Sequence, residues 1–435
     1  MTRVTGQPPL DVTPADATPR RGLRVPAAVR PLRHRDFRLL WAAMAVSLMG
    51  VGVWVVAVVW QVIALGGGPA QLSVVVGVYT IGILLSVLPA GIAADRLPQR
   101  SVMLSSLLLS SVVLLGVAAL SLSGVLQLWH LAAGALVLGV SEGLFLPSYT
   151  ALLPNLLPEH ELLAANGLEG VLRPLAQNAA GPALAGVLVT AFSPGLAIAV
   201  DGVAFLIAAL CLSRVRHRPG PRSAERAAVS VWGDLRGGFR YLVQTRWLLT
   251  TLLFAVVLVF MVIGPIEVLL PFAIRELGSD ANGHALVLAA FGIGGAVGAL
   301  LVSSRKLPRR YLTVMIWLWG LGSAPMALLG IVDALWMMVA AVVLVGVTSQ
   351  GANVIWGTLL QRRVPDGMRG RVSSLDFFVS LILMPASIAV AGPAGALLGI
   401  PLVFALAGLV PVALSALALW LGRLKADELA HPLDH

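Results

Sequence analysis

The chain has 435 residues, 58% of them hydrophobic and only 11% charged, too little charge for a water-soluble globule of this length to cover itself. Of its 50 charged residues, 21 lie in residues 1–38 and 214–246, which leaves 29 for the other 364; lipid has to solvate most of such a chain. A net charge of +10 would suit nucleic acid in a soluble protein, but here the arginines fall in gaps between apolar runs and record membrane orientation instead.

Residues 1–36 are rich in proline and arginine without an apolar core, so they read as a disordered cytoplasmic tail and not as a cleavable signal peptide. Twelve apolar runs follow, each near the roughly 20 residues that a spanning helix needs. Six occupy about 39–65, 72–94, 101–123, 126–153, 167–192 and 196–213, and six more about 247–272, 284–303, 311–331, 335–360, 372–397 and 402–422. The expected architecture is an all-α membrane protein of two six-helix bundles, 37–213 and 247–422, with a cytoplasmic linker at 214–246 and a second cytoplasmic tail at 423–435. Within the linker, Trp232, Leu235, Phe239 and Leu242 recur at helical spacing, which suits an interfacial helix on the inner leaflet.

Twenty-eight of the 30 lysines and arginines fall in the two tails and in the gaps after even-numbered runs; the gaps after odd-numbered runs are short and rich in glycine and proline. The positive-inside rule then places both termini and every even loop in the cytoplasm, with the chain in the inner (plasma) membrane. The halves also resemble each other at an offset of 207. Gly139-Val140-Ser141 aligns with Gly346-Val347-Thr348, Pro158-Glu159 with Pro365-Asp366, and Glu169 with Asp376, the sign of a duplicated unit.

No nucleophile–base set, phosphate loop or paired-carboxylate site stands out, so no enzyme is expected. Cys211 is the sole cysteine and the seven histidines fall in tails, loops or helix ends, so no metal centre or cofactor is expected. The glycines at 292, 294, 295 and 298 have no strand before them and read as close helix packing through small residues.

Intramembrane charges are functional candidates, because each costs roughly 2.5–3.5 kcal/mol at the bilayer centre on insertion scales. Glu142 is the deepest. It is a candidate proton-coupling group, since a carboxyl in a low-dielectric site can load and release a proton as access alternates; the competing reading is a structural pair with Arg173. Glu267 follows Gly264-Pro265, where a bent helix could turn it into a cavity, and is the second proton-coupling candidate. Glu169 and Arg173 are i, i+4 partners, whereas Asp376 lacks such a partner and reads as a gate or cap. Gln350, Asn353 and Trp356 recur every three residues on helix 10 and, with Trp54 on helix 1, are the candidate substrate contacts; hydrogen bonding between helices is the alternative for the polar pair.

Gly91-Ile92-Ala93-Ala94-Asp95-Arg96-Leu97-Pro98-Gln99-Arg100, between runs 2 and 3, matches Gly-x-x-x-Asp-Arg-x-x-x-Arg. Gly91 permits close helix approach, Asp95 suits a neighbouring helix N-terminus, and Arg96 and Arg100 can bridge nearby acids. This stretch resembles the loop 2/3 signature of the major facilitator superfamily. Residues 33–422 are similar to its proton-driven exporters of the enterobactin and macrolide type, in Arg35-Asp36-Phe37-Arg38, Leu152-Leu153-Pro154, Asp234-Leu235-Arg236-Gly237-Gly238 and Val364-Pro365-Asp366-Gly367-Met368-Arg369-Gly370-Arg371.

The resemblance implies a central cavity lined mainly by helices 1, 4, 7 and 10, and rocking between inward-open and outward-open states. Gly91, Asp95, Arg96 and Arg100 would steady the outward-open state, with Arg173 and Asp376 also gating. It departs where many relatives carry an acid after the helix 1 glycine and this chain has Val51, and in lacking the helix 4 arginine common in drug–proton antiporters. The expectation is a monomeric secondary transporter in a lipid bilayer, exporting a small amphipathic molecule in exchange for protons, with no nucleic-acid partner. The alternatives are an importer or facilitator of a small solute, and a receptor or scaffold without transport.

Overall fold

A computed structural model describes residues 27–216 and 239–433; at some positions, residues 87–96 among them, it describes the backbone alone. The described residues form twelve long helical segments without a strand. In the first half these are α1 (Arg35–Ala64), α2 (Pro69–Arg96), α3 (Gln99–Leu122), α4 (Leu128–Leu152), α5 (159–191) and α6 (Pro194–Ser213). In the second they are α7 (Arg246–Glu276), α8 (Ala281–Ser303), α9 (Tyr311–Leu328), α10 (Leu335–Arg363), α11 (Asp366–Leu398) and α12 (Ile400–Leu421), followed by a short α13 (Leu424–Ala430).

Ten of these are long and apolar enough to cross a membrane. Helices α5 and α11 have the length, about 50 Å at 1.5 Å per residue, but each carries its charged residues in its first half, Glu159 to Arg173 and Asp366 to Asp376. Both also start earlier than the apolar pattern suggested, at 159 and 366 instead of 167 and 372, because helix continues through polar turns that hydropathy excludes. Helices α4 and α10 begin at 128 and 335, α5 and α11 end at 191 and 398, and all four boundaries keep the 207-residue offset.

Local chemistry marks the helix ends. Asp280 caps α8 by accepting from the Asn282 and Gly283 amides at 3.0 and 3.3 Å, and Ser193 caps α6 by accepting from Leu196 at 3.2 Å. The turn from α11 to α12 passes through Gly399 at φ 84°, a backbone region that a side chain would strain. Two helices widen to π-turns below a glycine–proline pair or at one, at Ala176–Ala180 in α5 and Pro265–Leu269 in α7.

Packing within each half uses small residues. Gly82, Gly139 and Gly143 bring α2 against α4, and Gly294, Gly298 and Gly346 bring α8 against α10 in the equivalent way; an added methyl at Gly139 or Gly298 meets the backbone of Tyr79 or Val347. The glycine cluster on α8 is therefore a packing surface. Between the halves, α2 packs on α11 and α5 on α8.

These inter-half contacts gather at the short-loop end of the bundle. The Ser73 hydroxyl accepts from Gly392 N at 2.9 Å, Thr190 donates to Asp280 at 3.2 Å, and Gly186 lies against Ala281 and Ala285. Among the described residues one apolar core runs through the first half and across into the short-loop end of the second, while the basic end of the second half has a core of its own around Trp247, Tyr311 and Trp356. Among the described residues the halves thus share a core at the short-loop end.

The first and last described residues pack on the bundle. Ala27–Arg33 form a 3-10 turn, and His34 lies 3.0 Å from Glu161. Helix α13 folds back so that Asp427 pairs with Arg363 at 2.6 Å, Glu428 accepts from the Thr313 amide and hydroxyl at 3.0 and 2.6 Å, and Arg363 stacks 4.5 Å over Trp247. Arg363→Met is expected to release α13 and cost about 2 kcal/mol, below the 3–5 typical of breaking a fully buried pair because Asp427 is partly exposed. Faster proteolytic removal of residues after 421 would show it; unchanged cleavage would refute it. Of the proposed interfacial helix, residues 217–238 lie outside the described residues; Phe239 is exposed and Leu242 buried.

Candidate functional site

Helix α4 carries Glu142 on a half-buried face at mid-length, and α2 brings the Tyr79 hydroxyl to donate to it. Arg173, on α5, faces the same cavity but reaches Gln177 at 3.4 Å and Glu169 at 3.5 Å. The Glu169–Arg173 pair expected from spacing is present. No ion pair joins Glu142 to Arg173 among the described residues, so the donor found on Glu142 is a neutral phenol.

The cavity lies inside the first half and has a volume of about 180 Å³. Met44, Leu48, Leu107 and Phe145 make its apolar surface; Ser47, Ser106, Ser110, Tyr79, Glu142, Arg173 and Asp201 are the polar groups on it. Gly52 on α1 and Gly181 on α5 touch backbone to backbone, which positions the π-turn of α5 beside this wall.

A second, smaller cavity of about 50 Å³ lies between the halves, where Trp54 of α1 and Tyr79 of α2 meet Glu267 of α7 and His284 of α8. The π-turn at Pro265–Leu269 rotates Glu267 toward it, as the Gly264-Pro265 bend suggested. His284 is 2% exposed and its Nδ1 has no partner. Trp54 lines both cavities, so it separates two polar centres.

The three helix 10 residues part company. Gln350 and Asn353 are exposed and bonded to each other at 3.3 Å, beside the open space at Gly357, and Trp319 donates to Asn353 at 3.1 Å. Trp356 turns away into a buried aromatic group with Trp247 and Trp319, ring centroids 6.3 and 6.2 Å away. Its indole donates to Asp376 at 3.1 Å, so Asp376 has a partner that its own helix did not offer.

Among the described residues Arg100 bridges no acid. Its guanidinium donates to the Leu212 carbonyl at 3.2 Å and to that of Ser213, capping the C-terminal end of α6, where a cation meets the negative end of the helix dipole. The side chains of Gly91, Asp95 and Arg96 lie outside the described residues. No cluster of three or more metal-ligating side chains occurs among the described residues.

Twelve helices paired by a 207-residue repeat, with polar groups gathered at mid-depth, are a transporter architecture. A family model of the Major Facilitator Superfamily matches residues 40–387. The chain belongs to this superfamily. As a superfamily member it is a multi-pass membrane transporter of small molecules and not an enzyme.

It is 26% identical over 406 residues to the multidrug efflux pump Tap of Mycolicibacterium fortuitum, covering 90% of this chain and 97% of the relative. Macrolide efflux protein A of Streptococcus pyogenes is 22% identical over 360 residues, with 80% and 86% covered. Among solved structures, the nucleoside transporter NupG superposes with a TM-score of 0.70 at 13% identity over 89% of this chain and 98% of that one. A bacterial homologue of the iron transporter ferroportin, in an inward-facing state, gives 0.66 at 18% identity over 92% and 100%. These structures share the fold.

Tyr79 and His284 have places on these cavity walls that periodicity does not single out, whereas Asp201 stands out in the sequence as a charge inside an apolar run. A lone tyrosine or histidine in an apolar run is the only signal the sequence offers, since which face looks inward depends on the neighbouring helices.

Proposed function

We propose that this superfamily member exports a small amphipathic molecule from the cytoplasm by proton-driven alternating access. The observation that carries the reading is Glu142: a carboxyl at membrane depth, on a cavity wall, whose donor is a tyrosine and not a cation. Such a group can accept a proton on one side and release it on the other as the halves rock. The names of the relatives, multidrug and macrolide efflux proteins, support export of an amphipathic compound.

The basic loops and both termini face the cytoplasm in this reading. The hydrogen bonds Ser73–Gly392 and Thr190–Asp280 at the short-loop end support an inward-open conformation, with these bonds as its outer closure. Glu267, which lines the small cavity together with His284, is the second proton-coupling group. Gln350 and Asn353 touch substrate beside the opening at Gly357, and Trp54 lies between the two acids. Trp356, with Asp376, acts from behind that surface as part of the gate, together with Arg173 and the stretch from Gly91 to Arg100. The chain acts as a monomer.

Inverted membrane vesicles from cells producing the chain are expected to accumulate radiolabelled erythromycin under an inward-acidic gradient, and to lose that accumulation when nigericin collapses the gradient. One proton falling through one pH unit supplies 1.36 kcal/mol, enough for about a tenfold concentration ratio per proton exchanged. Accumulation that survives nigericin would overturn proton drive.

A further inference from the structure

The large cavity of the first half holds a second acid. Asp201 lies on α6 with 0% of its surface exposed, and neither of its carboxylate oxygens has a hydrogen-bond partner. It nevertheless forms part of the wall that carries Glu142. The other fully buried carboxylate is satisfied, since Glu428 accepts two hydrogen bonds, and the Arg363 guanidinium pairs with Asp427. Among the described residues Asp201 is the fully buried carboxylate without a donor.

Its surroundings are shaped to hold it. Gly50 on α1 leaves the space that the carboxyl fills, since a methyl there would collide with Asp201 Oδ1 and with the Phe205 ring. Gly202, the next residue, seats α6 on Leu115 of α3, and its carbonyl accepts from Ser111 at 2.8 Å. None of the neighbours supplies a counter-charge at contact. Helix α1 offers Ser47 and Trp54 to the cavity, α2 Tyr79, and α3 Ser106 and Ser110, while the charged groups on the wall are Glu142 of α4 and Arg173 of α5.

An ionised carboxylate with neither donor nor cation in an apolar interior is far too costly to persist, and such a group neutralises instead. We infer that Asp201 is a second proton-binding group of the transport cycle, holding a proton in this conformation and exchanging it with Glu142 through their shared cavity. In that exchange the Asp201 O–H bond breaks and a Glu142 carboxylate oxygen gains the proton. Any serine hydroxyl or water between them takes one proton and gives one, so no electron moves and charge balances. The inference rests on the proton-driven reading for its role in transport, and on the geometry of Asp201 alone for the site itself.

Infrared difference spectra of the full chain in lipid, recorded between acidic and alkaline pH, test the site directly. The expected result is a titrating carboxyl C=O band that loses one component in Asp201→Asn, retains that component in Glu142→Gln and shifts it in Asp201→Glu. Spectra of Asp201→Asn superimposable on the wild type would overturn the site; if the asparagine variant does not fold, an unshifted band in Asp201→Glu does the same. In the erythromycin vesicles Asp201→Asn is expected to lower gradient-driven accumulation at least tenfold, with partial recovery in Asp201→Glu. Full accumulation in Asp201→Asn would overturn its part in coupling. Insensitivity of the wild type to nigericin would instead fell the proton-driven reading, while the infrared band still reported on Asp201.

Discussion

Glu142→Gln is expected to bring the erythromycin accumulation ratio in inverted vesicles from about ten per pH unit down to about one. Glutamine keeps the size of the side chain and a carbonyl for the Tyr79 hydroxyl to bond, so the wall of the cavity survives the change. What disappears is the titration. Each proton that exchanges for substrate brings 1.36 kcal/mol per pH unit, and a group that no longer loads one returns the carrier to equilibration. The loss is therefore specific to uphill transport: exchange of labelled for unlabelled erythromycin across an equal-pH membrane persists, because binding and rocking do not need the proton. Arg173 sharpens the test, because it faces the same cavity while engaging Glu169 and Gln177. If Glu142 served as its structural counter-ion, the glutamine variant would lose folding and exchange together. Gradient-driven accumulation at the wild-type level in Glu142→Gln would dispose of the assignment.

The second large effect concerns architecture. Gly298→Leu is expected to destabilise the second half by about 3 kcal/mol, the upper end of the overpacking range, and to lower the melting midpoint in detergent by at least about 5 °C. The obstacle at Gly298 is the backbone of Val347, its carbonyl, carbonyl carbon and Cα together, so no rotamer change makes room and α8 must part from α10. Gly139→Leu should act likewise on α2 and α4, where the obstacle is the backbone of Tyr79, and should in addition disturb the donor to Glu142. Gly116, on the outer face of α3 with nothing within 4 Å, supplies the control; leucine there is expected to change stability by less than about 0.5 kcal/mol. A Gly298→Leu protein that melts with the wild type would show that the helices are not in backbone contact.

Membrane residence, helix number and the duplicated plan were legible in the residues because they follow from bulk solvation. Lipid admits only backbone that satisfies its own hydrogen bonds, so apolar runs of spanning length declare themselves, and the repeat survives as a constant 207-residue offset. Sidedness was legible as an expectation for the same reason, since the arginines crowd into alternate gaps. Even the limits of that legibility are physical: α5 and α11 began earlier than hydropathy indicated because their first turns are polar yet still helical.

The partners of the buried polar groups were decided only by the tertiary structure. Spacing along one helix foresaw Glu169 with Arg173, a pair four residues apart, but could not foresee Tyr79 with Glu142, Trp356 with Asp376, Arg100 with the end of α6, or Glu267 sharing a cavity with His284. Those pairings join residues from different helices, and they depend on rotation about each helix axis, which in an apolar helix is set by where small residues let a neighbour approach. Hydropathy is nearly uniform around such a helix and carries no record of that rotation. The glycines at 50, 52, 139, 181 and 298 do, but only once the helix on the other side of each is known.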